Sequence, residues 1–120
     1  MRSVLVVEDE ALIALDLACS IESLGYKVLG PASNCEDARR IAEREMPDLL
    51  LMDVSIQGKV DGIDTARAIT EHRPAKVVFL TAHTDVATRR RAESIRPTAF
   101  LTKPYSARNI QQILEAAFAA

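Results

Sequence analysis

The chain has 120 residues, 48% hydrophobic and 27% charged, with a formal net charge of -2. That length suits one domain with one core, and the mixed charge gives no basic footprint for nucleic acid. The apolar run Val4–Val7 is far too short for a membrane span or a signal-peptide core, and Cys19 and Cys35 match neither a disulfide framework nor a metal-ligand spacing, so a reducing, cytoplasmic setting is the expectation.

The pattern then alternates between short apolar runs and helical periodicity. Val4–Val7 reads as a buried strand ended by Glu8-Asp9-Glu10, and Ala11–Leu24 recurs at helical spacing through Ile13, Leu17 and Ile21 up to the stop at Gly25. Cys19 falls inside that helix as a small packing residue. Tyr26–Gly30 reads as a second strand, and Pro31, Ser33 and Asn34 as a turn. Either polar residue of that turn can cap a helix from Cys35 to about Met46, whose inner face is Ala38, Ile41, Ala42 and Met46.

Leu49–Met52, apolar on both faces and closed by Asp53, suits the central strand of a parallel sheet covered on both sides. The loop from Val54 to Asp61 leads into a helix that starts at Gly62 and stops before Pro74. Lys76–Leu80 is a fourth strand, followed by Thr81-Ala82-His83-Thr84-Asp85. A helix from about Val86 to Ser94, rich in arginine (Arg89, Arg90, Arg91), is expected to face water. Thr98–Leu101 is the last strand, and Ser106 caps a final helix with Ile110, Ile113, Leu114 and Ala117 inward.

Five β-α units with short connections predict an α/β fold: a (βα)5 doubly wound parallel sheet forming a single domain over residues 1–120. The pattern does not dictate strand order, for which the flavodoxin-like 2-1-3-4-5 is the expectation. Every strand-to-helix loop then lies on one edge, where Glu8 and Asp9, Asp53, Thr81 and Lys103 converge. Three crowded carboxylates repel, so at least one pKa should rise unless a hard divalent cation such as Mg2+ joins them. With a lysine ammonium and a threonine hydroxyl added, the set reads as a phosphoryl-transfer site with Asp53 as nucleophile.

Glu8-Asp9, Asp53, Thr81-Ala82 and Lys103-Pro104, each at the end of its strand, resemble the receiver domain of two-component response regulators along essentially the whole chain. The resemblance implies that Asp53 accepts a phosphoryl group from a phosphohistidine on a sensor histidine kinase or a histidine phosphotransfer protein. It implies a Mg2+ site, open to Mn2+, formed by Glu8, Asp9, Asp53 and the backbone carbonyl of Ser55. Thr81 and Lys103 would contact the phosphoryl oxygens, and small Ala82 would leave them room. Phe100 holds the place of the family's switch aromatic, without the hydroxyl of the tyrosine often found there, and Lys103–Pro104 would be a cis peptide. Glu8 stands where the family more often has aspartate. Ser55 and His83 would flank the attack route and tune the phosphate lifetime. The output face would be helix four, strand five and helix five, meeting an output protein, a fused output domain or a second copy, with no membrane or nucleic-acid contact. The rival readings are a Mg2+-dependent phosphatase of haloacid dehalogenase type, which needs an acid where Ser55 stands, and a flavodoxin-like cofactor binder, which needs a phosphate loop rich in Ser, Thr and Gly where Glu8-Asp9-Glu10 would repel a metal-free phosphate.

Overall fold

The computed structural model describes residues 1–56, 58–82 and 86–119. Ten elements alternate: β1 (Ser3–Val7), α1 (Ala11–Ser23), β2 (Lys27–Ala32), α2 (Cys35–Glu45), β3 (Leu49–Asp53), α3 (Gly62–His72), β4 (Lys76–Ala82), α4 (Val86–Glu93), β5 (Ala99–Lys103) and α5 (Ala107–Ala119). The five strands form one sheet in the order β2-β1-β3-β4-β5, and every pairing is parallel. The expected fold and strand order are therefore those observed.

Alternation along each strand divides the core into two layers. Leu49 and Leu51 pack with Val4, Val6, Val78, Leu80 and Leu101 against Leu17 and Ile21 of α1 and Ile110 and Leu114 of α5. Leu50 and Met52 point the other way, with Leu5, Val7 and Phe79, against Ala38 and Ala42 of α2, Ile63, Ala66 and Ile69 of α3, and Ala92 of α4. All five residues of β3 are buried, as its apolar run on both faces requires.

Several details differ from the sequence reading. β4 runs on through Thr81 and Ala82, and β5 through Thr102 and Lys103, because these residues still pair in register, Thr81 with Thr102 and Ala82 with Lys103. β2 continues through Pro31 to Ala32, which an edge strand tolerates because its outer ladder needs no donor. The register slips between Leu5 and Val7 beside it. Met46 does not point inward: it is the α2 C-cap, with φ of 48°, and its side chain is exposed.

The helix starts are chemically explicit. Asn34 caps α2 by accepting from the Asp37 N–H at 2.9 Å, and Asp61 caps α3 by accepting from Asp64 N–H at 3.0 Å. Ser106 and Asn109 exchange two bonds at the start of α5, amide to Asn109 Oδ1 and amide to Ser106 Oγ. No helix among the described residues is long and apolar enough to cross a membrane.

Candidate functional site

The residues at the carboxyl edge of the sheet follow the same alternation as the core. Glu8 continues the Val4-Val6 side, Asp53 the Leu49-Leu51 side and Lys103 the Leu101 side, so all three start from the α1/α5 face. Thr81 has the opposite parity and continues the line of Val77 and Phe79, on the face that carries α3 and α4.

The first group makes a tight ionic cluster. Carboxylate oxygens of Glu8, Asp9 and Asp53 lie within 4.8 Å of one another. Lys103 Nζ stands 2.8 Å from Asp53 Oδ2 and 3.8 Å from Glu8 Oε1. The other Asp53 oxygen, Oδ1, accepts from both the amide and the hydroxyl of Ser55, each at 2.9 Å. Asp53 and Glu8 are both buried. Glu8 is held from two sides: its amide donates to Ala32 carbonyl at 2.9 Å, and its Oε2 accepts from the Glu10 amide at 3.1 Å.

The electrostatics follow from burial and neighbours. Burial, reinforced by the adjacent Asp53 and Asp9 carboxyls and only partly offset by the Glu10 N–H, pushes Glu8 up to about 7. Burial works against ionisation of Asp53 too, but the Lys103 ammonium and the Ser55 N–H outweigh it and hold this carboxyl below the usual range. The reciprocal effect raises Lys103 against its own desolvation. One acid of the crowded set is thus driven toward its neutral form while its neighbour stays charged.

Glu8 Oε1 is buried and has no hydrogen-bond partner among the described residues. A buried carboxylate oxygen without a donor is costly. An orphaned oxygen aimed into a cluster of hard donors fits a hard divalent cation, which takes a few carboxylates and completes its shell with water.

The remaining predicted residues stand as follows. Thr81 is buried, and its hydroxyl lies 3.3 Å from the Ala82 carbonyl. Ala82 is exposed at the end of β4, and the Lys103–Pro104 peptide is cis. Phe100 is half-buried, 6.0 Å from the Phe79 ring centroid, and the Arg89 guanidinium lies 4.4 Å above its ring. His83 falls outside the described residues. Cys19 and Cys35 are free.

Two features escaped the sequence reading. The Ser55 hydroxyl bonds the carboxylate of Asp53 directly. The arginines of α4 are exposed, as expected, but two of them also make specific contacts: Arg91 Nη2 is 2.6 Å from Asp61 Oδ2 and 3.5 Å from Asp64 Oδ2, and Arg89 stacks on Phe100. Asp61 and Asp64 lie some thirty positions upstream of Arg91, beyond the reach of any helical spacing rule.

Residues 4–115 match the family model of the response regulator receiver domain. The chain is 40% identical over 116 residues to the transcriptional regulatory protein PdtaR of Mycobacterium tuberculosis, covering 97% of this chain and 56% of that protein. It is 32% identical to the phyllosphere-induced regulator PhyR of Methylorubrum extorquens, covering 95% and 42%. The chain spans about half the length of these curated relatives. Among solved structures, the signal receiver domain of a modulated diguanylate cyclase from Desulfovibrio desulfuricans G20 superposes with a TM-score of 0.91 at 37% identity, covering 99% of this chain and 94% of that one. A haloacid-dehalogenase-type phosphatase finds no support: the matched family is one of signalling domains, and the position two residues after Asp53 is Ser55.

Proposed function

The chain belongs to the response regulator receiver domain family, and from that premise we propose that Asp53 is the phosphoryl acceptor in a Mg2+-dependent transfer from a phosphohistidine. The donor is a sensor histidine kinase or a histidine phosphotransfer protein. One observation carries the reading: Glu8 Oε1, buried and without a hydrogen bond, stands beside Asp9 and Asp53, with the Lys103 ammonium 3.8 Å from it and 2.8 Å from Asp53 Oδ2.

An oxygen of the Asp53 carboxylate attacks phosphorus, an O–P bond forms, and the N–P bond of the donor breaks, its electron pair leaving on the imidazole. Held ionised by Lys103 and Ser55, Asp53 supplies the nucleophilic oxygen without a separate base. Lys103 then shifts from the carboxylate to the transferred group, whose added negative charge attracts it. The Thr81 hydroxyl, lightly held on Ala82 carbonyl, turns to donate to a phosphoryl oxygen. Glu8, Asp9, Asp53 and the Ser55 carbonyl would hold Mg2+, with Mn2+ as a substitute, and the metal when bound neutralises phosphoryl charge.

Thr81 and Phe100 share the α3/α4 face of the sheet, so movement of the threonine opens room for the phenylalanine to turn inward. That change switches the face of α4, β5 and α5 for protein contact, with a partner protein, a fused output domain or a second copy of the chain. Ser55 and His83 set how long the phosphoryl group survives, and the domain works in the cytoplasm as an acceptor that dephosphorylates itself rather than as a turnover enzyme. Incubation with acetyl phosphate and Mg2+ should add the mass of one phosphoryl group per chain. Labelling should vanish with EDTA and in Asp53→Asn; equal labelling of Asp53→Asn would falsify the assignment.

A further inference from the structure

The helix that the proposed switch must move is the one least anchored by burial. Ala92 is the only buried residue of α4. Beyond that, Arg89 stacks on Phe100 and further ties are polar. Arg91 reaches Asp61 Oδ2 at 2.6 Å and Asp64 Oδ2 at 3.5 Å, and the Ser94 hydroxyl just beyond the helix lies 3.4 Å from Arg67 Nη2 on α3.

The other end of the Arg91 tie leads straight to Asp53. Asp61 caps α3 through Oδ1, and its carbonyl accepts from the amide and the hydroxyl of buried Thr65. The next residue, Gly62, donates its amide to the Val54 carbonyl at 3.1 Å. Gly62 sits so tightly against the acceptor that a Cβ built there would lie 1.9 Å from the Asp53 carbonyl oxygen. Asp61 therefore closes the loop that begins at Asp53, and Ser55 within that loop holds Asp53 Oδ1. Despite partial burial, the Asp64 N–H and Arg91 keep Asp61 below the usual carboxylate range, so the tie is ionic at neutral pH.

We infer that Arg91 is a positioning residue: by bridging to Asp61 and Asp64 it fastens α4 to the loop behind Asp53 and acts as a brake on the switch. This rests on the reading of Asp53 as phosphoryl acceptor. Transfer to Asp53 redistributes the two bonds that Ser55 makes to Oδ1, so the loop must adjust, and Arg91 couples that adjustment to the helix. Removing the guanidinium frees both ends, and the acceptor then labels faster because the loop adjusts without dragging α4.

Hydrogen exchange on the unphosphorylated protein tests the tie, and acetyl phosphate labelling with Mg2+ tests the brake. For a pair this exposed, Arg91→Ala should speed exchange at Gly62, Asp64, Thr65 and the α4 amides, and raise the labelling rate at limiting donor, by about two- to fivefold. Asp61→Asn, which keeps an acceptor for the α3 cap, should reproduce both effects; Arg91→Lys should restore most of each. Arg90→Ala, a neighbouring change on the same helix, should alter neither. Wild-type exchange in Arg91→Ala and Asp61→Asn, an equal response from Arg90→Ala, or slower labelling of Arg91→Ala overturns the inference. Labelling that persists in Asp53→Asn instead overturns the acceptor reading, a result separate from the exchange data.

Discussion

Lys103 Nζ lies 2.8 Å from Asp53 Oδ2, at the ends of two strands that are not neighbours in the sheet, with β4 between them. The pair spans β4 because both side chains rise from the same face. Its neutralising effect falls on a buried carboxylate, where a charge without a partner is most costly.

Replacing Lys103 by Met should raise the Asp53 pKa and slow labelling by acetyl phosphate by about 100-fold, the usual scale for losing one charge-stabilising donor. Carboxyl-carbon NMR reads the first effect and intact mass against time the second. An unshifted Asp53 titration would show that Ser55 alone keeps the carboxylate ionised.

Stability should depend on pH through the two coupled acids. Glu8 is raised to about 7 in the fold, so the folded state holds its proton more tightly than the unfolded chain does. The resulting stabilisation is complete below about pH 4.3 and disappears as pH rises through 7. Asp53 is lowered, so its contribution is present above about pH 3.9 and lost as pH falls through its folded value. Metal-free protein should therefore be most stable near about pH 4 as far as these groups decide it, and lose a few kcal/mol toward pH 8. With Glu8 proposed as one of its ligands, Mg2+ affinity should climb with pH up to about 7 as that carboxyl ionises. Melting curves in EDTA check the trend, and Glu8→Gln should flatten its alkaline arm.

Gly62 has no room for a methyl group against the Asp53 carbonyl. Gly62→Ala should cost about 3 kcal/mol or more, because α3 or the end of β3 must shift. Gly25, at φ of 96° with open space around it, offers the contrast: Gly25→Ala should cost only the left-handed strain, about 1 kcal/mol. Urea denaturation of the two variants separates crowding from backbone conformation.

Asn34→Ala removes the only side-chain acceptor for the Asp37 amide at the start of α2 among the described residues and should destabilise by about 1 kcal/mol, whereas Asn34→Ser, which keeps an acceptor without setting a second carboxylate against Asp37 Oδ2, should recover most of the loss. Thermal melts at neutral pH distinguish them.

The strands were legible because their apolar runs are short, dense and bounded, and the site because every strand-to-helix loop of such a sheet opens on one edge. Asp53, Glu8 and Lys103 could be grouped from that rule alone. Strand ends were less legible: Thr81, Thr102 and Lys103 look like loop residues by polarity, yet they still pair in register. Pro31 looked like a turn because local chemistry does not reveal which strand will lie at the edge. The Arg91 tie was invisible for a different reason. Helical pattern assigns an arginine to water, and only the packing of α3 beside α4 brings Asp61 and Asp64 within its reach.

Pro31 has one more effect. The outer rim of β2 would otherwise be an open template on which an extended segment of another chain could add itself, strand by strand, into an aggregate. Proline brings no amide hydrogen to such a zipper, and the slipped register beside it breaks the regular spacing that growth requires. The irregular strand thus doubles as a guard against self-association at that rim, and Pro31→Val would exchange the guard for a smoother, stickier border.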